Sequence, residues 1–324
     1  MEPRRRADDP GRQLTMSDIR SGKMVPYLLA TLPPLFWAGN FLVARLMRDD
    51  LPPMQFSFWR WLLAFLIMLP FALPNLRRVL PDLRRESTML VVLGLLGVTA
   101  FNCLIYTALH FTTVVNAALI NTLMPVMTFL LALALLKDKL DSRQMIGVVI
   151  SILGVALIIV RGEPARLLAF ELNVGDFLVL AGLSCWALYT VLIKWRPSKL
   201  PFPVFLTVVI GIGTVLHLPL VWWEVGQGLS FPFTGEALLA TAYVAVFPSV
   251  LAYIFWSRAV AALGPGRTGM FMHLMPIFST FLAIWFLGES FQWFHAVGMA
   301  LIIFGISMVT RLIAARKARA PAAG

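Results

Sequence analysis

Between Met24 and Arg311 the chain is a succession of apolar runs separated only by short charged or proline-rich interruptions. Each run is about as long as a membrane span, for which a bilayer core requires about 20 apolar residues in a helix. Shared among ten spans, the 288 residues of this region give about 29 per span with its connection, which leaves no room for a soluble domain. Composition agrees: 59% of residues are hydrophobic, 13% are charged, and the mean hydropathy is +0.83, where a soluble domain is about half apolar and a quarter charged. The runs predict an all-α integral membrane protein with spans at 25–44, 54–73, 89–109, 113–136, 144–160, 176–193, 203–223, 237–257, 267–287 and 292–311. Punctuation such as LPPM at 51–54, LRRVLPDLRR at 76–85 and KWRPSKLPFP at 194–203 separates them.

Basic residues give the orientation, because cytoplasmic loops collect Lys and Arg. With the N-terminus inside, 22 of the 27 fall on the tail and on the loops at 77–85, 137–143, 194–199, 258–267 and 311–319. Arg45, Arg48, Arg161 and Arg166 fall on the other side, and Arg60 lies within a span. Both termini are therefore expected in the cytoplasm, which requires an even number of spans. The first 23 residues mix both charge signs with Pro and Gly and read as a disordered cytoplasmic tail. They do not read as a cleavable signal, since the first apolar run is already a full span. A net charge of +11 could mean nucleic acid in a soluble chain; here it follows the orientation pattern, base-contacting motifs are absent, and no nucleic-acid partner is expected. Cys103 and Cys185 lie far apart in apolar runs and read as small hydrophobes, neither disulfide nor metal site.

The chain also repeats itself. Leu123-Met124-Pro125 recurs as Leu274-Met275-Pro276, 151 residues on, and at the same offset Gly147 matches Gly298, Gly154 matches Gly305 and Ala108 matches Ala259. Asp138 falls on Glu289, and Trp37 matches Trp186 at an offset of 149. Five spans per half is an odd number, so the second half enters the membrane from the opposite side. Such inverted repeats place a transporter's substrate site near the midplane, between the halves.

FWAGNFLVAR (36–45), FWRWLLAFLIMLP (58–70), AALINTLMPVMTFLLALALLKDKL (117–140), GVVISILGVALIIV (147–160) and GRTGMFMHLMPIFSTFLAIWFLGE (266–289) together resemble the EamA family of the drug/metabolite transporter superfamily. The likeness covers about 25–311. It implies a first five-helix repeat over 24–161, an external linker at 162–175, a second repeat over 176–311 and a basic cytoplasmic tail at 312–324. It also implies a carrier exporting amino acids, related metabolites or toxic compounds, with aromatic amino acid exporters the nearest type. KDK at 137–139 departs from the family, where a glutamate is common, but at a loop.

Polar residues inside a span are costly and are functional candidates by default. Trp37 and Asn40 stand three apart on the first span, with Trp186 and Tyr189 as counterparts; Asn102 and Tyr106 stand four apart on the third, with Tyr253 and Ser257. Residues so spaced share a helix face, so four helices, equivalent two by two, each present a polar-aromatic face to a shared interior. The competing reading is helix-to-helix hydrogen bonding and an interfacial aromatic belt. The fourth span carries Asn116, Asn121 and Pro125, and the ninth carries Arg267, His273 and Pro276. The two prolines each remove a backbone hydrogen bond, giving a kink and a candidate hinge, or a fixed bend. Arg60, about 9 Å from the outer end of its helix at 1.5 Å per residue, is either a carboxylate-binding residue or a structural charge tied to carbonyls or to Asp49 or Asp50. His217, His273 and Glu224 are the titratable candidates for proton coupling, His273 foremost, against a packing role for a lone histidine. Gly147, Gly154, Gly298 and Gly305 suit close helix packing, within or between subunits.

The expected substrate site is thus Trp37, Asn40, Asn102, Tyr106, Asn121, Trp186, Tyr189, Tyr253, Ser257 and His273. Its cargo would be a small amphipathic metabolite, an amino acid or a flat cation, exported by alternating access across the bilayer of a bacterial inner membrane. No cofactor and no metal are expected, and the chain reads as a monomer or homodimer. Catalytic motifs are missing (no HExxH, GxSxG, intramembrane Asp pair or phosphate loop). A membrane-embedded enzyme would have to use Ser257, Ser184 and His273, and a passive channel is a third reading.

Overall fold

The computed structural model describes residues 24–47, 50–108, 111–112, 117, 120–137, 141–163, 165, 173–288 and 290–317, and the regular structure among them is helical throughout. In chain order the helices are α1 (Val25–Leu46), α2 (Pro53–Leu76), α3 (Leu80–Ala108), α4 (Met124–Leu136), α5 (Ser142–Ile159), α6 (Val174–Trp195), α7 (Phe202–Gly226), α8 (Gly235–Leu263), α9 (Pro265–Leu287) and α10 (Trp293–Lys317). Seven of the described helices, α2, α3 and α5 to α9, are long and apolar enough to cross a membrane. The 13 residues of α4 reach only about 20 Å at 1.5 Å per residue. Expectations on Asn116, Asp49, Asp138, Glu289, Arg166, the tail at 1–23 and most of the linker and the C-terminal tail lie outside the described residues.

Helix starts follow local chemistry. Asp141 and Asn173 each close a capping box, with Gln144 and Asp176, and Thr234 caps the first turn of α8. These caps satisfy amides that have no partner inside the helix. Pro81 occupies the first turn of α3, where its missing N–H costs nothing, so that helix starts nine residues before the expected 89. The fourth expected span is corrected the other way. A turn at Thr122–Leu123 precedes Met124, so Pro125 stands in the first turn of α4 and not at mid-helix. Likewise α9 tightens to a 3-10 turn at Phe271–His273, just before Leu274-Met275-Pro276.

Irregularities recur at the spacing of the sequence repeat. A π-helical segment interrupts α3 at Leu95–Ala100 and α8 at Ala245–Leu251. A left-handed residue ends α4 at Lys137 (φ 56°) and α9 at Gly288 (φ 66°). Packing is equally two-fold. α2 lies on α7 and α5 on α10, while α1 packs on α8 and α9 as α6 packs on α3 and α4. The first helix of each half therefore sits among helices of the other.

The glycine stripes bring α5 and α10 together within one chain. A Cβ on Gly147 would meet the Gly305 carbonyl at 2.8 Å, and one on Gly154 the Gly298 carbonyl at 2.6 Å. As numbers rise along α5 they fall along α10, so these equivalent helices run antiparallel, and the repeat exchanges the two contacts. On the outer surface large apolar side chains stand bare, Trp222 and Trp285 at 82% and 84% exposure, as lipid-facing residues do.

Candidate functional site

The faces expected on α1, α3, α6 and α8 converge, and α2 supplies what joins them. Arg60 lies 5% exposed. Its Nη2 donates to Asn102 Oδ1 at 2.6 Å; its Nη1 donates to Asn40 Oδ1 at 3.4 Å and to the Tyr106 hydroxyl at 3.5 Å. Three of the expected site residues therefore gather on one guanidinium. Its carbon stands 4.9 Å from the centre of the Trp61 ring, within cation–π reach. The expected tie to Asp49 or Asp50 is corrected for the described member: Asp50 is exposed at the turn before α2, and the acceptors on Arg60 are neutral.

Beside Arg60 the aromatic rings form one body. Trp186 lies 5.2 Å from Trp37, 5.3 Å from Tyr189 and from Phe101, 5.4 Å from Tyr253 and 5.8 Å from Trp256. Tyr253 also meets Trp61 edge-on at 5.0 Å. The two π-helical segments anchor this body. Trp37 Nε1 donates to the Pro248 carbonyl at 3.0 Å, and the Tyr253 hydroxyl donates to the Gly97 carbonyl. Gly97 and Pro248 are repeat equivalents, and a π turn widens the helix enough to present such a carbonyl sideways. Each half thus offers the same backbone acceptor to an aromatic side chain of the other half.

Among the described residues, five buried side-chain nitrogens and oxygens have no hydrogen-bond partner: Arg60 Nε, Trp61 Nε1, Trp186 Nε1, Tyr189 Oη and Ser257 Oγ. All five belong to this centre. The Tyr189 and Ser257 hydroxyls are neighbours but do not meet in hydrogen-bonding geometry. Native proteins leave few such groups, and a cluster of them calls for an explanation.

Other expected residues lie elsewhere. His273 is 2% exposed; its Nε2 donates to the Thr122 carbonyl at 3.0 Å, so its Nδ1 accepts from Ser151 Oγ, 2.6 Å away. His217 is held likewise, Nδ1 donating to the Gly213 carbonyl at 2.8 Å and Nε2 facing Ser57 Oγ at 3.1 Å. Both histidines are sealed ties between helices and stand outside the aromatic body. Glu224 caps α2, its two oxygens accepting from the Met54 and Gln55 amides at 2.8 and 2.9 Å. Asn121 is half-buried, on the helical residues just before the turn that precedes α4, and is not among the hydrogen-bond partners of Arg60. Ser184 donates to the Leu180 carbonyl on an exposed face. Sequence reasoning missed Trp61, Phe101 and Trp256 as members. Their signal was adjacency: Trp61 follows Arg60, Phe101 precedes Asn102, and Trp256 stands three after Tyr253.

A model of the EamA-like transporter family matches the chain twice, over residues 24–160 and 173–311. "Uncharacterized transporter YyaM" of Bacillus subtilis is 29% identical over 86% of this chain and 91% of its own. An "Uncharacterized transporter" of Archaeoglobus fulgidus is 29% identical over 88% and 96%. A "Probable terminal-alkyne amino-acid exporter" of Streptantibioticus cattleyicolor is 26% identical over 74% and 78%. A solved crystal structure superimposes with a TM-score of 0.71 at 19% identity, covering 91% of this chain and 99% of that one; the likeness speaks for the fold.

Proposed function

Because the chain belongs to the EamA-like transporter family, and is thus an integral membrane transporter of small molecules, we propose that it exports small amphipathic metabolites, amino acids foremost, by alternating access. In this reading ten helices cross a bacterial inner membrane as two inverted five-helix repeats, 24–161 and 176–311. Both termini are cytoplasmic and the unit is a monomer or homodimer. The carrying observation is the centre where helices of both halves meet, with five buried polar atoms left unpartnered among aromatic rings. A ligand that covers those rings and occupies those atoms accounts for both. The exporter named among the relatives supports amino acids as cargo. Transport is then passive or gradient-driven, and His273 and Glu224, already engaged by other partners, are poor proton carriers. The enzyme reading needs Ser257 beside His273, whereas His273 is paired with Ser151.

The test is purified protein in liposomes, loaded in turn with amino acids and apolar metabolites. Saturable, chemically unaltered efflux is expected for at least one group. Rates equal to protein-free liposomes across the whole panel would end the transport reading.

A further inference from the structure

The unpartnered groups at the centre are nearly all donors. Arg60 Nε, Trp61 Nε1 and Trp186 Nε1 can only donate, and the two hydroxyls, on Tyr189 and Ser257, can also do so. Apart from those two hydroxyls, the nearby acceptors are already engaged: Asn40 and Asn102 by Arg60, the Gly97 and Pro248 carbonyls by Tyr253 and Trp37. Arg60 uses three of its N–H groups on neutral partners out of the five it carries. Burying a guanidinium with no carboxylate among its hydrogen-bond partners is costly, and the buried Glu224 is spent on the Met54 and Gln55 amides. What this centre lacks is therefore an anion rich in acceptors. One guanidinium balances one negative charge, so a monoanion fits and a dianionic phosphate leaves a charge over. A planar carboxylate also matches the planar fork of an arginine.

Resting on the transport reading above, we infer that Arg60 is the specificity-determining residue, seating the carboxylate of the cargo while the rings of Trp37, Trp186 and Tyr253 take its apolar body. The cargo class is then monocarboxylates with an apolar or aromatic body, α-amino acids included. Cationic amphipaths and dyes are rejected, because a cation without a carboxylate meets a fixed positive charge and only the two neutral hydroxyls of Tyr189 and Ser257 as unoccupied acceptors. This narrows the class expected from the sequence, which admitted flat cations.

The experiment measures binding, by quenching of tryptophan fluorescence, and efflux from liposomes. The probes are two matched pairs, 3-phenylpropionate with 3-phenylpropionamide and L-phenylalanine with L-phenylalaninamide. On the unaltered chain each acid is expected to bind more than about tenfold tighter than its amide, as a charge-assisted hydrogen bond warrants. Arg60→Gln should erase that preference and Arg60→Lys should keep part of it. Acid and amide bound and moved equally by the unaltered chain would overturn the inference and leave the transport reading standing. A preference retained in Arg60→Gln would overturn it as well. Failure of all four probes to bind or move would overturn the inference, while the transport reading falls only if the whole panel above fails as well. The comparison on the unaltered chain needs no variant, so a poorly folding Arg60→Gln does not shelter the inference.

Discussion

Asn102 performs two tasks with one amide: its Oδ1 holds Arg60 at 2.6 Å while its Nδ2 donates to the Val98 carbonyl at 2.6 Å, inside the π-helical segment of α3. Asn102→Leu removes both bonds and leaves a buried charge less well satisfied. Efflux is expected to fall at least about tenfold, with about 2 kcal/mol of stability lost, as for an unpartnered charged donor; an unchanged rate per folded molecule would make this face a packing surface. Asn40→Asp argues the opposite way. It sets a carboxylate where an amide oxygen now stands 3.4 Å from Arg60, so acid binding should weaken while the melting temperature holds or rises. His273→Phe should lower stability by about 2–3 kcal/mol, because the Thr122 carbonyl loses the donor it now has and Ser151 its acceptor, while cargo affinity stays as it was. A thermal melt beside a binding titration checks both variants. The polar-aromatic faces of α1, α3, α6 and α8 were legible because spacing of three or four is written in the sequence. That Arg60 joins two of them, through Asn40 on α1 and through Asn102 and Tyr106 on α3, was not legible, since contacts between helices leave no periodic trace.

Helices were readable from hydropathy, but their interruptions were not, because a π turn or a 3-10 turn alters no residue's polarity. The only written sign of the break before α4 and within α9 was the recurring Leu-Met-Pro. Its proline stands in the turn after the break, where a missing N–H is tolerated. The shared left-handed cap after each of these helices is a sharper case. Equivalent backbone positions hold Lys137 and Gly288 at φ 56° and 66°, so the conformation is kept while the residue suited to it stands on one side only. A side chain in this region costs about 1–2 kcal/mol relative to glycine. Lys137→Gly is therefore expected to stabilise the protein by about 1 kcal/mol, and Gly288→Ala to destabilise it by about as much. Melting temperatures moving in the same direction for both would show that the caps are not equivalent in energy.

The two halves interlock, with α1 among α8 and α9 and α6 among α3 and α4, so neither can move as a separate body without carrying part of the other. One contact joins a position to its own equivalent: His273 Nε2 donates to the carbonyl of Thr122, 151 residues earlier. This bond runs in one direction only, so it is not mapped onto itself when the halves exchange roles, as alternating access by inverted repeats requires. The interruptions that flank it, at Thr122–Leu123 and at Phe271–His273, are therefore the places where the exchange would bend the chain. Pro125 and Pro276 keep them open, since neither supplies the N–H that would continue the helix back across the break. Alanine restores that donor and favours a continuous helix by about 1–3 kcal/mol, and about 1.4 kcal/mol shifts a two-state ratio tenfold. Because the two prolines belong to opposite halves, Pro125→Ala is expected to favour one facing state and Pro276→Ala the other, each slowing efflux with cargo affinity largely kept. Cysteines placed toward each mouth and labelled from either side of the membrane report the balance. Labelling that shifts the same way in both variants, or in neither, would leave the prolines as fixed shape and move the hinge elsewhere.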